Sequence, residues 1–221
     1  MRPYLVFDVN ETLLDLSALD PHFQAYFGDK RFRKDWFNQV LQSAFSSTIL
    51  GSYHNFGLVA RSALTMVANQ NDISLEQDAY TSILGQMRQL PAHPDVLPGI
   101  IRLKEAGFQM SALTNSPYEV AKDQIDHAGL SEYMDSVLSV DASMALKPAR
   151  AVYAYASQAL DQEAHNLCLI AAHPWDIAGA MRSGWQGAFI TRHDKAWNPL
   201  FEEPSYHGID LLDIAIQLSE L

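Results

Sequence analysis

The sequence predicts an α/β fold: a doubly wound parallel sheet with a helical cap inserted after its first strand. Three observations predict it. Tyr4-Leu5-Val6-Phe7 is a short apolar run that stops on an acid, Asp8, the pattern of a fully buried strand delivering a polar residue at its carboxyl end. Residues 16–90 then carry helical periodicity with no convincing buried strand. From residue 100 onward, short apolar runs alternate with amphipathic segments, and polar residues repeatedly follow the runs. Such alternation implies βαβ units and a parallel sheet, whose ligands bind beyond the carboxyl ends of the strands.

Composition narrows the function classes. The chain has 221 residues, 48% of them hydrophobic and 19% charged, enough for one good core and a smaller appended one. A formal net charge of -11 without Lys/Arg clusters argues against nucleic acid and against anionic membranes as partners. The one cysteine, Cys168, lies in Leu167-Cys168-Leu169-Ile170 and reads as a buried apolar residue. With no disulfide framework, no signal-peptide pattern and no apolar run of transmembrane length, a cytoplasmic location is expected.

The elements follow in order. In the cap, Phe32, Trp36, Phe37, Val40, Leu41 and Phe45 share one face of a helix within 29–45. A second helix spans 56–67. A third starts from Ser74-Leu75-Glu76-Gln77, read as a capping box, and runs towards Leu90. Pro91-Ala92-His93-Pro94-Asp95-Val96-Leu97-Pro98-Gly99 breaks the pattern. The division is therefore a Rossmann-like core of 1–15 and 91–221 and a helical cap of 16–90. In the core, strands are predicted over 108–113, 136–140, 166–170 and 187–190. Helices are predicted over 100–106, 118–127, 150–160, 175–182 and 210–218. This order lets Asp8, Thr114, Asn115, His173 and Asp176 converge on one edge of the sheet.

Each candidate has an ordinary structural use. Asp8 alone could end a strand and cap a turn. Thr114-Asn115-Ser116-Pro117 is also a sound helix start, with a hydroxyl and free N–H groups that suit an anion. Lys147 alone would be a surface residue, and His173 a capping or core histidine.

Together, four motifs in order resemble the haloacid dehalogenase superfamily: Asp8 with Thr12 and an apolar pair, Leu113-Thr114-Asn115, Lys147-Pro148 before a helix, and Ala171-Ala172-His173-Pro174-Trp175-Asp176. Trp175-Asp176, and Tyr153 six residues after Lys147, are similar to the branch that cleaves carbon–halogen bonds. The resemblance implies Asp8 as nucleophile, Lys147 as its counter-charge, and Thr12 and Asp176 as further catalytic residues. Thr114, Asn115, Tyr153 and Trp175 are implied to bind substrate. The expected reaction is hydrolysis of short 2-haloalkanoic acids to 2-hydroxy acids, with no cofactor and no metal, and a homodimer through the cap.

Three departures sharpen the expectation. Asn10 stands where phosphatases of the superfamily carry a second Asp that protonates a leaving alkoxide; halide is a very weak base and needs no proton. Phe37 follows Trp36 where that branch has a halide-binding Arg, so halide contact falls to Phe37, Asn38, Gln39, Asn115 and Trp175. His173 replaces an Asn that places the hydrolytic water, and imidazole, with an unperturbed pKa of about 6.5, suits a general base. Asp15, Asp20 and Asp176 are its candidate carboxylate partners. The alternatives are a magnesium-dependent phosphatase, with metal on Asp8, Asp176 and the Asn10 carbonyl, and a non-catalytic domain binding an anion or a protein.

Overall fold

The computed structural model describes residues 2–192 and 195–220; the outer ends of the predicted core, Met1 and Leu221, lie outside them. Among the described residues the sheet is six-stranded and parallel. Its strands are β1 (Tyr4–Phe7), β2 (Met110–Thr114), β3 (Ser136–Ser139), β4 (Leu167–Ala171), β5 (Gln186–Ile190) and β6 (Tyr206–Gly208), in the order β3-β2-β1-β4-β5-β6. Every residue of β1, β2 and β4 is buried, as expected of central strands covered on both faces. Cys168 lies in β4 with no exposure, and burial pushes its thiol up to about 12.

The strand order places the functional edge. The chain moves from β1 to β2 and β3 on one side, then crosses back to β4 on the other. The loops after β1 and β4 therefore diverge, and the crevice between them is the topological switch point. Asp8 follows β1, and Ala172-His173 follow β4.

Five α-helices separate β1 from β2, and the first four are α1 (Asp20–Phe27), α2 (Phe32–Leu50), α3 (Phe56–Gln70) and α4 (Gln77–Gln86). Trp36 is buried between α2 and α3 and donates its indole N–H to the Ala60 carbonyl at 2.9 Å. Phe23, Phe27 and Trp36 stack at 5.2–5.4 Å, joining α1 to α2. The two connections to this block run side by side. Leu14 bridges Ala92 antiparallel, Asp15 N–H bonds the Pro91 carbonyl at 2.8 Å, and His93 N–H bonds Leu13 at 2.9 Å.

The remaining helices, α5 (Val96–Glu105), α6 (Tyr118–His127), α7 (Arg150–Ala159), α8 (Pro174–Met181) and α9 (Leu211–Ser219), alternate with the later strands. Several predicted details differ. Helix α1 and β6 were not foreseen; α1 carries only Phe23 and Phe27 as buried residues, too short a stripe to show as a period. Ser74 is not a cap: α4 starts at Gln77 after Glu76, with no side-chain cap bond. Helix α5 starts at Val96, so Pro98-Gly99 lie inside it. Gly99 is needed there, because a Cβ would stand 2.9 Å from the Leu211 side chain.

Candidate functional site

The turn after β1 builds the first half of the site. Val9 O accepts the N–H groups of Leu13 and Leu14 at 2.9 and 3.0 Å, closing a tight loop. Glu11 takes φ +62° within it, a left-handed conformation rare for a residue with a Cβ. Asp8 is fixed at the loop's base and its side chain is 9% exposed. Thr12 Oγ1 donates to Asp8 Oδ2 at 2.6 Å and accepts the Ala172 N–H at 2.9 Å, so one hydroxyl couples the loops after β1 and β4. Arg192 bonds the Thr12 carbonyl through two nitrogens, at 2.6 and 3.2 Å, and pairs with Asp95 at 2.6 Å.

Lys147 supplies the counter-charge. Its Nζ lies 3.1 Å from Asp8 Oδ1 and 2.7 Å from Asp176 Oδ2, with 1% of the side chain exposed. Burial alone would raise the Asp8 carboxyl and lower the Lys147 ammonium. The opposing charges and hydrogen bonds win, holding Asp8 well below the ordinary carboxylate range and Lys147 above its usual value. Asp176 moves the other way, raised by burial and by the Asp8 charge, although Lys147 opposes this. Asp8 is thus the more firmly ionised of the two.

Asp176 is fixed from behind. Tyr153 OH donates to its Oδ1 at 2.7 Å and approaches its backbone carbonyl at 3.0 Å. Tyr153 is wholly buried, with its hydroxyl engaged by Asp176. Gly179 permits this, since a Cβ there would lie 2.6 Å from Tyr153 OH.

His173 is held between two carboxylates. Nδ1 lies 3.1 Å from Asp8 Oδ2, and Nε2 lies 3.0 Å from Glu11 Oε2. Burial would depress the imidazole, but the bonds and charges of Asp8 and Glu11 raise it to about 9. At neutral pH it is therefore an imidazolium, not the free base its ordinary pKa suggests. Its carboxylate partner is neither Asp15 nor Asp20 nor Asp176. Asp15 caps Ser17, Asp20 pairs with Arg33, and Asp176 is engaged by Lys147 and Tyr153. Glu11 in turn accepts from Lys195 Nζ at 2.7 Å.

The loop after β2 closes the ring. Asn115 Oδ1 accepts the Lys147 N–H at 3.0 Å, and Thr114 Oγ1 accepts the Ser116 N–H at 3.1 Å. Asn10 bonds Ser116 through its amide nitrogen and Gln124 through its oxygen, at 3.1 and 3.0 Å. The ring centroids of Trp175 and Phe37 lie 5.1 and 6.4 Å from that of His173. Asn38 and Gln39 are not part of this arrangement. Asn38 is exposed, Gln39 bonds Ser43, and both line a polar groove with Gln70 of α3 and Asn71 just after it. The helical turn that carries Trp36 and Phe37 inward carries Asn38 and Gln39 away from them.

Glu11, Lys195, Arg192 and Gln124 were not singled out from the sequence. Glu11 was within reach, since it lies three residues after Asp8 in the loop that holds it. The other three carry no local signal, because each acts across a long sequence separation.

A buried carboxylate, held ionised by an ammonium at the switch point of a parallel α/β sheet, defines a hydrolase-type centre with an acidic side chain at its focus. The family model described as haloacid dehalogenase-like hydrolase matches residues 4–184. The chain belongs to that family. It is 28% identical to (S)-2-haloacid dehalogenase 1 of Pseudomonas sp. (strain CBS-3), over 96% of this chain and 94% of that one. It is 24% identical to haloacetate dehalogenase H-2 of Moraxella sp. (strain B), over 97% and 96%. Its fold superimposes on an L-2-haloacid dehalogenase of Xanthobacter autotrophicus with a TM-score of 0.93, at 20% identity and full coverage of both chains.

Proposed function

We propose that this protein hydrolyses the carbon–halogen bond of short 2-haloalkanoic acids through an ester on Asp8. The observation that carries the reading is the Asp8 carboxylate itself, ionised, nine-tenths buried and oriented by Lys147 and Thr12. The dehalogenases that resemble this chain over nearly its whole length supply the substrate class.

The residues divide the work. Asp8 attacks the halogen-bearing carbon; a C–O bond forms as the C–halogen bond breaks, and halide leaves unprotonated. Lys147 holds Asp8 in place and balances the substrate's charge. Asn115 offers an amide nitrogen with no protein partner among the described residues, a donor for the substrate carboxylate or the departing halide. The ring edges of Phe37 and Trp175 give that halide a polarisable wall. Residues 16–90 act as a cap over the core, excluding water during the displacement.

Esterification removes the Asp8 charge, and with it one of the two carboxylates that keep His173 protonated. Its pKa then falls, and the ring releases a proton to solvent. The neutral imidazole takes a proton from water as the oxygen attacks the ester carbonyl. It returns that proton to the leaving alkoxide, which departs as the 2-hydroxy acid. The Asp8 carboxylic acid then gives its own proton to His173, restoring the resting ion pair. The net products are hydroxy acid, halide and one proton.

A panel of 2-haloacids and a generic phosphate ester, each with and without magnesium, tests the reading. Metal-independent halide release from haloacids is expected. Magnesium-dependent phosphate release without halide release would replace it with the phosphatase reading, against which stands Asn10, unable to protonate an alkoxide. No turnover of either class would favour a binding domain.

A further inference from the structure

We infer that Glu11 is a positioning residue for the second half-reaction, selecting the tautomer of His173 that can activate water. The inference rests on the proposed ester mechanism and concerns a side chain that the nucleophile motif does not use. Three observations carry it.

The first is direction. The Glu11 carboxylate meets Nε2 of His173 at 3.0 Å, while Nδ1 faces Asp8 at 3.1 Å. An ionised carboxylate only accepts hydrogen bonds. It therefore demands N–H at Nε2, and in the neutral ring that leaves the lone pair on Nδ1, towards the Asp8 ester. Without Glu11 the proton could settle on Nδ1, and the lone pair would point away from the reacting carbon.

The second is charge. Lys195 Nζ bonds the same Glu11 oxygen at 2.7 Å, and His173 and Lys195 hold this carboxyl below its ordinary value despite its burial. Glu11 thus stays ionised when His173 becomes neutral. The charged groups reaching His173 are Asp8 and Glu11 directly, Lys195 through Glu11, and Lys147 through Asp8, with Asp176 beyond Lys147. Esterification changes only the Asp8 side of this set. The Glu11 side persists through the step that needs it.

The third is the backbone. Glu11 sits at φ +62°, where a glycine would be at ease, and its N–H is tied to the Leu14 carbonyl at 2.9 Å. A strained side-chain-bearing residue at a functional turn is tolerated when its side chain is used there. Glu11 also lines a cavity of about 580 Å³ together with Lys195, His93 and Asp15.

The experiment compares wild type with Glu11→Gly and Glu11→Gln, using 2-chloropropionate and histidine-ring nitrogen NMR. Glycine suits the backbone at this position, so Glu11→Gly should fold, with a melting temperature lowered by the lost pairs to His173 and Lys195. Both variants should release one equivalent of halide at the wild-type rate. Ester hydrolysis should then slow by about 10² to 10⁴-fold, the range of a general base. In the resting protein, without substrate, the His173 titration midpoint should fall below that of wild type. Wild-type ester hydrolysis in both variants, or loss of the halide burst with the fold intact, would overturn the inference and leave the proposed function standing. If wild type itself released no halide, the proposed function would fail and the tautomer role with it. If Glu11→Gly does not fold, Glu11→Gln decides. An unchanged His173 midpoint there overturns the link between the two residues.

Discussion

Replacing Lys147 with methionine should destabilise the protein more at neutral pH than in mild acid. The side chain keeps its length, but the ammonium that lies 2.7 Å from Asp176 and 3.1 Å from Asp8 is lost. Asp176 is then buried with no counter-charge, and Asp8 keeps only the His173 imidazolium. Breaking a buried pair by removing one partner costs roughly 3 to 5 kcal/mol, because the remaining charge is stranded. For a domain of this size that is a drop of about 6 to 20 °C in melting temperature. The pH dependence gives the sharper test. In wild type, the depressed Asp8 contributes stability above the ordinary carboxylate range and loses it as pH falls through its folded value. In the variant, burial pushes the Asp176 carboxyl further above its unfolded value, and Asp8 loses the larger part of what depressed it. The folded state then binds more protons than the unfolded chain, so stability falls as pH rises. Urea unfolding at about pH 5.5 and pH 7.5 measures both effects, and the gap between variant and wild type should narrow at the lower pH. A difference under about 1 kcal/mol, equal at both pH values, would refute the argument that Asp8 is held ionised by Lys147.

Further outcomes follow from the same geometry. Turnover of 2-chloropropionate should survive excess chelator, since Lys147 can balance a single substrate carboxylate; loss of activity that magnesium restores would contradict this. His173→Ala should release one equivalent of halide and then stall, with intact mass showing the acyl remnant on the protein. Wild-type turnover should fall as pH drops through the His173 pKa of the ester state, which lies below the resting value of about 9 because the Asp8 charge is gone. Gly179→Ala should cost about 1 to 3 kcal/mol and lower kcat, because its Cβ would stand 2.6 Å from Tyr153 OH and push that ring off Asp176. Thermal melting and steady-state rates measure the two parts.

The central strands and the helices flanking them were legible because burial on both faces leaves near-continuous apolar runs punctuated by Gly. Tyr118–His127 matches its prediction end for end. Asp8, Thr12, Lys147, His173 and Asp176 could be gathered because each follows a strand or precedes a helix in a recognisable motif. What stayed hidden was decided by tertiary structure. Nothing local distinguishes Glu11, a polar residue in a polar turn, from a solvated one; its left-handed φ and its pairing with His173 exist only when β1 and β4 are adjacent. Tyr153 lies near the site, but the sequence could not show that its hydroxyl is bound to Asp176. Asn38 and Gln39 were drawn in by their proximity to Phe37, and helical geometry sends them to the opposite face. The His173 pKa was misjudged for a related reason: its ordinary value ignores two carboxylates brought together by the fold.

The central claim is that Asp8 becomes covalently attached to the substrate. One turnover of enzyme in excess over 2-chloropropionate, run in heavy-oxygen water, tests it directly. Water attacking the Asp8 ester carbonyl must leave one heavy oxygen in the side chain of Asp8, and mass spectrometry of the peptide containing Asp8 should find it, with unlabelled hydroxy acid released. Label confined to the hydroxy acid, with the Asp8 peptide unchanged, would mean that water attacks the halogen-bearing carbon itself and would contradict the account.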